Sequence, residues 1–141
     1  MKNRFAFGFL LMWLVALGQP VWAHHSFNEE FNQNETIQLT GTISELEWIS
    51  PHVILHLDVR ERSGKVTRWA VQSLATGFFR KAGVTRKMLM GDDGKTVTMT
   101  VYKARNAAKR LGFLKKIEFP DGRSYEFQRG ALAADGSRGH S

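Results

Sequence analysis

The sequence contains no cysteine. That excludes disulfide staples, thiolate zinc sites, iron–sulfur clusters and thiol redox chemistry. It contains no glycine-rich phosphate loop and no dinucleotide fingerprint. No nucleophile motif accompanies its serines, and neither Ser26 nor Ser50 has a triad context. Methionine–histidine clusters, the mark of a high-capacity copper carrier, are also missing. Met88 and Met90 read as helix packing. The one apolar run, Phe5 to Gly18, is shorter than the ~20 residues a spanning helix needs.

What is there begins with a leader-like segment. Met1-Lys-Asn-Arg4 is a basic n-region, Phe5–Gly18 an apolar h-region, and Val21 and Ala23 stand at the small-residue cleavage positions. The sequence therefore predicts a signal peptide over 1–23, one domain over 24–128 and a disordered tail over 129–141, where glycine, alanine, serine and arginine dominate. The predicted location is the periplasm or the medium beyond it. No transmembrane segment is expected after cleavage. The 141 residues carry a formal net charge of +7. Loss of Lys2 and Arg4 lowers this by two, to +5, which suits solubility and anionic surfaces such as lipid headgroups or acidic polymers.

The domain is organised around Glu35 to Gln72. Ile37, Leu39 and Ile43 share one parity and Leu46 and Trp48 the other, so the period-2 pattern slips near Ser44–Glu45. One bulged residue restores the inward face, and Gly41 suits a sharply bent strand. Thr36 to Trp48 is thus a first strand, preceded by a turn at Asn32–Asn34. Pro51 interrupts the pattern at a corner. Val53 to Glu61 is a second strand with Val53, Leu55, Leu57 and Val59 on one side. Val66 to Gln72 is a third, with Trp69 and Val71 inward.

Ser73 is placed as the cap of a short helix with Leu74 and Phe78 on its apolar side. Thr85 caps a second helical turn ending at Met90. Gly91–Gly94 is a turn. Strands over Thr96–Lys103, Leu111–Phe119 and Ser124–Gln128 complete the chain. Three strands, a short helix and two or three further strands give a mainly β fold, a small OB-like antiparallel barrel. The expected core is Ile37, Leu39, Ile43, Leu46, Val53, Leu55, Leu57, Val59, Trp69, Val71, Leu74, Phe78, Val97, Met99, Val101, Leu114 and Ile117.

The ordered motifs His24-His-Ser-Phe27, Gly41-Thr-Ile43, Trp48-Ile-Ser-Pro-His-Val53, Trp69, Gly83-Val-Thr85, Gly91-Asp92 and Pro120-Asp-Gly122 resemble an uncharacterised family of small secreted proteobacterial proteins. The resemblance spans nearly all of residues 24–128 and implies an OB-like barrel without assigning a reaction. Two departures stand out. Ser50 occupies the position before Pro-His that is usually asparagine, and Asp93-Gly94-Lys95 lengthens a usually tighter Gly-Asp turn.

Chemistry concentrates on histidine. Cleavage after Ala23 would give His24 a free α-amine, and amine plus imidazole of one residue chelate a single ion. A further imidazole completes a nitrogen-rich site suited to Cu(II), with Zn(II), Ni(II) and Co(II) competing. His52, fixed beside Pro51, is the preferred partner, and His25 is the next. His56 shares the parity of His52 but lies ~13 Å further along a regular strand. Against this stands a plainer reading, in which His24 and His25 follow only the cleavage rules, His52 bonds a backbone carbonyl, and His56 faces solvent.

Trp48, His56, Arg68 and Tyr102 form a possible ligand surface. The basic residues Arg60, Lys103, Arg105, Lys109 and Arg110 give the barrel the look of a nucleic-acid surface, but export directs it to envelope ligands and not to nucleic acid. Glu45 and Glu47 share a strand face, yet strand carboxylates are ordinarily solvated. The sequence therefore points to a small binding or accessory module that captures copper or zinc, and to capture in preference to catalysis. The alternative is a metal-free module binding an envelope polymer, lipid or protein through its barrel surface.

Overall fold

A computed structural model describes residues 27–91 and 96–127. The expected signal segment, His24, His25, residues 92–95 of the Gly-Asp turn, and the expected tail lie outside them. The elements in order are α1 (Phe27–Glu30), β1 (Phe31–Glu47), β2 (Ile54–Arg60), β3 (Val66–Gln72), α2 (Thr76–Lys81), α3 (Arg86–Met90), β4 (Thr96–Ala104), β5 (Leu111–Glu118) and β6 (Ser124–Glu126).

The strands form one sheet in the order β3-β2-β1-β4-β5-β6, and β3 also pairs with β5. That extra pairing closes β1, β2, β3, β5 and β4 into a ring, with β6 appended to β5. The β3–β5 pairing is parallel and the others are antiparallel. With the helices between β3 and β4, this is the OB-like barrel expected from the order of the elements. Ring closure pairs part of the β3 edge that an open sheet would leave free.

β1 is the long bent strand. Its register against β2 shifts between Ile43 and Glu45, where the sequence slips parity, so Ile43 and Leu46 both reach the core. It starts earlier than expected, at Phe31, which pairs with Ala104. The next β1 residue in register with β4 is Thr36, opposite Tyr102. The polar run Asn32–Glu35 therefore bows out of the ladder, and Asn34 N donates to Asn32 Oδ1 (3.1 Å). The asparagine turn expected there is absorbed as a strand irregularity.

Most of the expected core is buried, while Ile37, Val59 and Phe78 pack partly exposed against it. The core also takes in Phe31, Phe79, Val84, Leu89, Phe113, Phe119 and Phe127. Ser73 does not cap α2. Ala75 holds that position without a side-chain bond, and the Ser73 hydroxyl is buried with no partner among the described residues. Thr85 does cap α3, its Oγ1 accepting from Met88 N at 3.2 Å.

Candidate functional site

The corner between β1 and β2 is built from its neighbours inward. Trp48 leaves β1 half-buried and packs its ring on Phe79 at 5.4 Å. Ile49 then points outward, 54% exposed, and the Ser50–Pro51 peptide is cis. Val53 drops fully into the core. Two backbone bonds tie it to the exit of β3: Val53 N donates to Leu74 O (3.0 Å) and Ser73 N to Val53 O (2.8 Å). His52 stands between proline and this anchored valine.

The His52 ring is oriented by that same exit. Its Nδ1 lies 2.9 Å from the Ser73 carbonyl oxygen. A carbonyl only accepts, so Nδ1 carries the hydrogen. In the neutral imidazole Nε2 then keeps its lone pair, the arrangement by which a backbone carbonyl orients a metal-ligating histidine. The plainer expectation for His52, a carbonyl-bonded ring at the corner, is met by the same contact.

Beside His52 lies an aromatic cluster. The His52 and Phe113 rings meet edge-on with centroids 6.5 Å apart. Phe113 touches Phe27 at 5.0 Å and Phe31 at 5.6 Å, and Phe27 meets Tyr102 edge-on at 5.6 Å. The short helix carrying Phe27 is held from β4's exit, where Arg105 Nε donates to Asn28 O (2.6 Å) and Arg105 N to Glu30 O (2.9 Å). The chain therefore enters the described fold two ring contacts from His52. His24, three residues before Phe27, lies outside the described residues with His25, and three extended residues cover about 10 Å.

His56 occupies a different place. On the outer face of β2 its Nε2 donates to Glu47 Oε1 at 2.7 Å, the side chains being 20% and 39% exposed. It is neither free in solvent nor directed at His52. On the same face Asp58 accepts from Arg68 Nε at 2.9 Å. The hydrogen bond from Arg68 is the main cause holding the Asp58 carboxyl below its ordinary range, and it raises the guanidinium in turn.

The structure thus distributes the expected ligand surface. His56 and Arg68 flank Asp58, Trp48 packs on α2, and Tyr102 joins the aromatic cluster near His52. Trp69 is a core residue with Arg110 over its ring at 5.6 Å. Among the described residues no three histidine or acidic side chains converge in a group able to hold a metal, and no helix is long and apolar enough to cross a membrane.

Sequence reasoning did not find Phe113, which links the corner to the arm. Its only signal was an aromatic beside an inward leucine in β5. The Glu47–His56 pair was legible only once the bulge had set the cross-strand register.

Comparison with curated proteins and with solved structures gives no match. A family model described as a family of unknown function (DUF6152) matches residues 11–113, and the chain belongs to that family.

Proposed function

We propose that the protein is a small exported module that captures a transition-metal ion, Cu(II) before Zn(II), in the periplasm or beyond it. The ligands are the α-amine and imidazole of His24 and the Nε2 atom of His52, with His25 as a further donor. The observation that carries this reading is the His52 imidazole, aimed by the Ser73 carbonyl with Nε2 unspent, beside the Phe113 ring on which Phe27 rests. An imidazole already held by a backbone carbonyl costs less ordering when an ion arrives. Phe27 stands two ring contacts from it, and three extended residues span about 10 Å. Copper leads because nitrogen donors follow the divalent affinity order that peaks there.

Intact mass and metal analysis of protein purified from the periplasm test both parts at once. A chain beginning at His24 with a bound ion is the expected result. Calorimetric titration with Cu(II) and Zn(II) should give binding tighter than about micromolar, below −8 kcal/mol, lost in His24→Ala and strongly weakened in His52→Ala. A native chain starting elsewhere, or affinity indifferent to both substitutions, overturns the proposal.

A further inference from the structure

The segment from Gln72 to Gly91 contains no aspartate or glutamate, yet it carries Arg80, Lys81, Arg86 and Lys87. All four are exposed. Five of the barrel's other cations find carboxylates: Arg68 with Asp58, Lys103 with Glu35, Arg110 with Glu61, Lys116 with Glu118 and Arg123 with Asp121. The four helical cations have no ion-pair partner among the described residues, and Arg80 reaches only Thr76 Oγ1, at 3.4 Å.

Their presentation is fixed. Phe79 and Val84 are fully buried and Leu89 is 1% exposed, so the backbone is pinned before, between and after the two cationic pairs. Gly83, at φ 74°, turns the chain between them. Next to this ridge lies an apolar tip. Ile49 is 54% exposed, and its neighbour Trp48 packs on Phe79, the residue just before Arg80.

We infer that α2, α3 and the Ile49 tip form a docking surface for an anionic lipid bilayer, with the cations on the headgroups and Ile49 at the acyl boundary. Unpaired lysine and arginine beside a negative surface each add attraction that falls off within a Debye length. A soluble polyanion would engage the same charges but offers nothing to an exposed isoleucine. A bilayer takes both. The surface does not draw on the metal ligands, so it holds whether or not an ion is bound.

The test is co-sedimentation of the purified protein with phosphatidylglycerol–phosphatidylcholine vesicles and with pure phosphatidylcholine vesicles. Binding is expected only to the former and should weaken steeply with salt. Replacing Arg80, Lys81, Arg86 and Lys87 together with glutamine should lower partitioning at least about 100-fold, at roughly fivefold per cation. Ile49→Ser should lower it severalfold at unchanged charge. The control removes the same charge elsewhere, through Arg60→Gln, Arg62→Gln, Lys65→Gln and Lys109→Gln, and should keep most of the binding. Circular dichroism confirms that each variant is folded. Equal loss in the control, equal binding to neutral vesicles, or no vesicle binding would each overturn the inference. So would capture of dextran sulfate through the ridge without vesicle binding, which would make the target a soluble polyanion.

Discussion

A Cβ atom on Gly41 would stand 2.3 Å from the carbonyl oxygen of Asp58. The two residues lie on neighbouring strands where β1 bends across β2, and the approach is backbone to side-chain position, with no flexible group to give way. Gly41→Ala therefore has to push the strands apart beside the bulge between Ile43 and Glu45. We expect a loss of at least about 2 kcal/mol, at the upper part of the overpacking range, read as a lower urea midpoint. Gly77→Ala, with open space around its Cβ position and a place in α2, should be neutral or slightly stabilising.

Phe113 and Phe27 separate stability from affinity. Phe113 is 8% exposed and touches Phe27, Phe31 and His52, so Phe113→Ala should cost about 3 kcal/mol or more. Phe27 is only partly buried. Phe27→Ala should leave the barrel folded, cost about 1–2 kcal/mol, and, at the proposed site, weaken Cu(II) binding at least tenfold by removing the Phe27–Phe113 contact. Calorimetry on the folded variant checks this; unchanged affinity would remove the arm's anchoring from the site.

The Glu47–His56 contact should contribute little for all its short distance. Both side chains are partly exposed, and exposed pairs contribute about 0.2–1 kcal/mol. A double-mutant cycle with Glu47→Ala and His56→Ala should return a coupling in that range. His56→Ala should also leave Cu(II) affinity unchanged, in contrast to His52→Ala.

Acid should weaken the fold through two carboxylates, Asp58 partly exposed and Glu35 exposed. Arg68 lowers the Asp58 pKa and Lys103 lowers that of Glu35, each chiefly by a hydrogen bond. A carboxylate whose pKa is lower folded than unfolded contributes stability that is complete above the unfolded value, about 4. That contribution is lost as pH falls through the folded value. The urea midpoint should therefore be level from about pH 6 to 5 and decline below about pH 4. Arg68→Gln and Lys103→Gln should each flatten part of that decline, by a small amount because both pairs lie in water.

Strand parity made most of the barrel legible. Val53, Leu55 and Leu57 alternate cleanly, Val66–Gln72 is bounded by its turn residues, and the slip at Ser44–Glu45 announces the bulge. The misses share a cause: burial on a face that the strand itself does not reveal. Phe113 and Leu114 are adjacent and both buried, because the barrel interior takes Leu114 while α1 covers Phe113 from outside. Counting helical spacing from Leu74 favours Phe78 over Phe79. The helix starts only at Thr76, since Ser73 and Leu74 are still bonded to the β2 corner, and the phase shifts to Phe79. For the site, Pro51 marked His52 as fixed, but its Ser73 partner is 21 positions away and no local pattern could indicate it.

The β3–β5 seam is three rungs long: Ala70 with Leu111, Val71 with Gly112 and Gln72 with Phe113. It is far shorter than the eight-rung β1–β4 ladder, so it is the natural place for the cylinder to unzip. Amide hydrogens along it should exchange faster than those of the β1–β4 ladder. Its last rung holds Phe113 and is followed at once by Ser73, whose carbonyl aims His52. Any breathing of the barrel would thus be felt as a wavering of that imidazole, and at the proposed site the seam's tightness would set how long an ion stays.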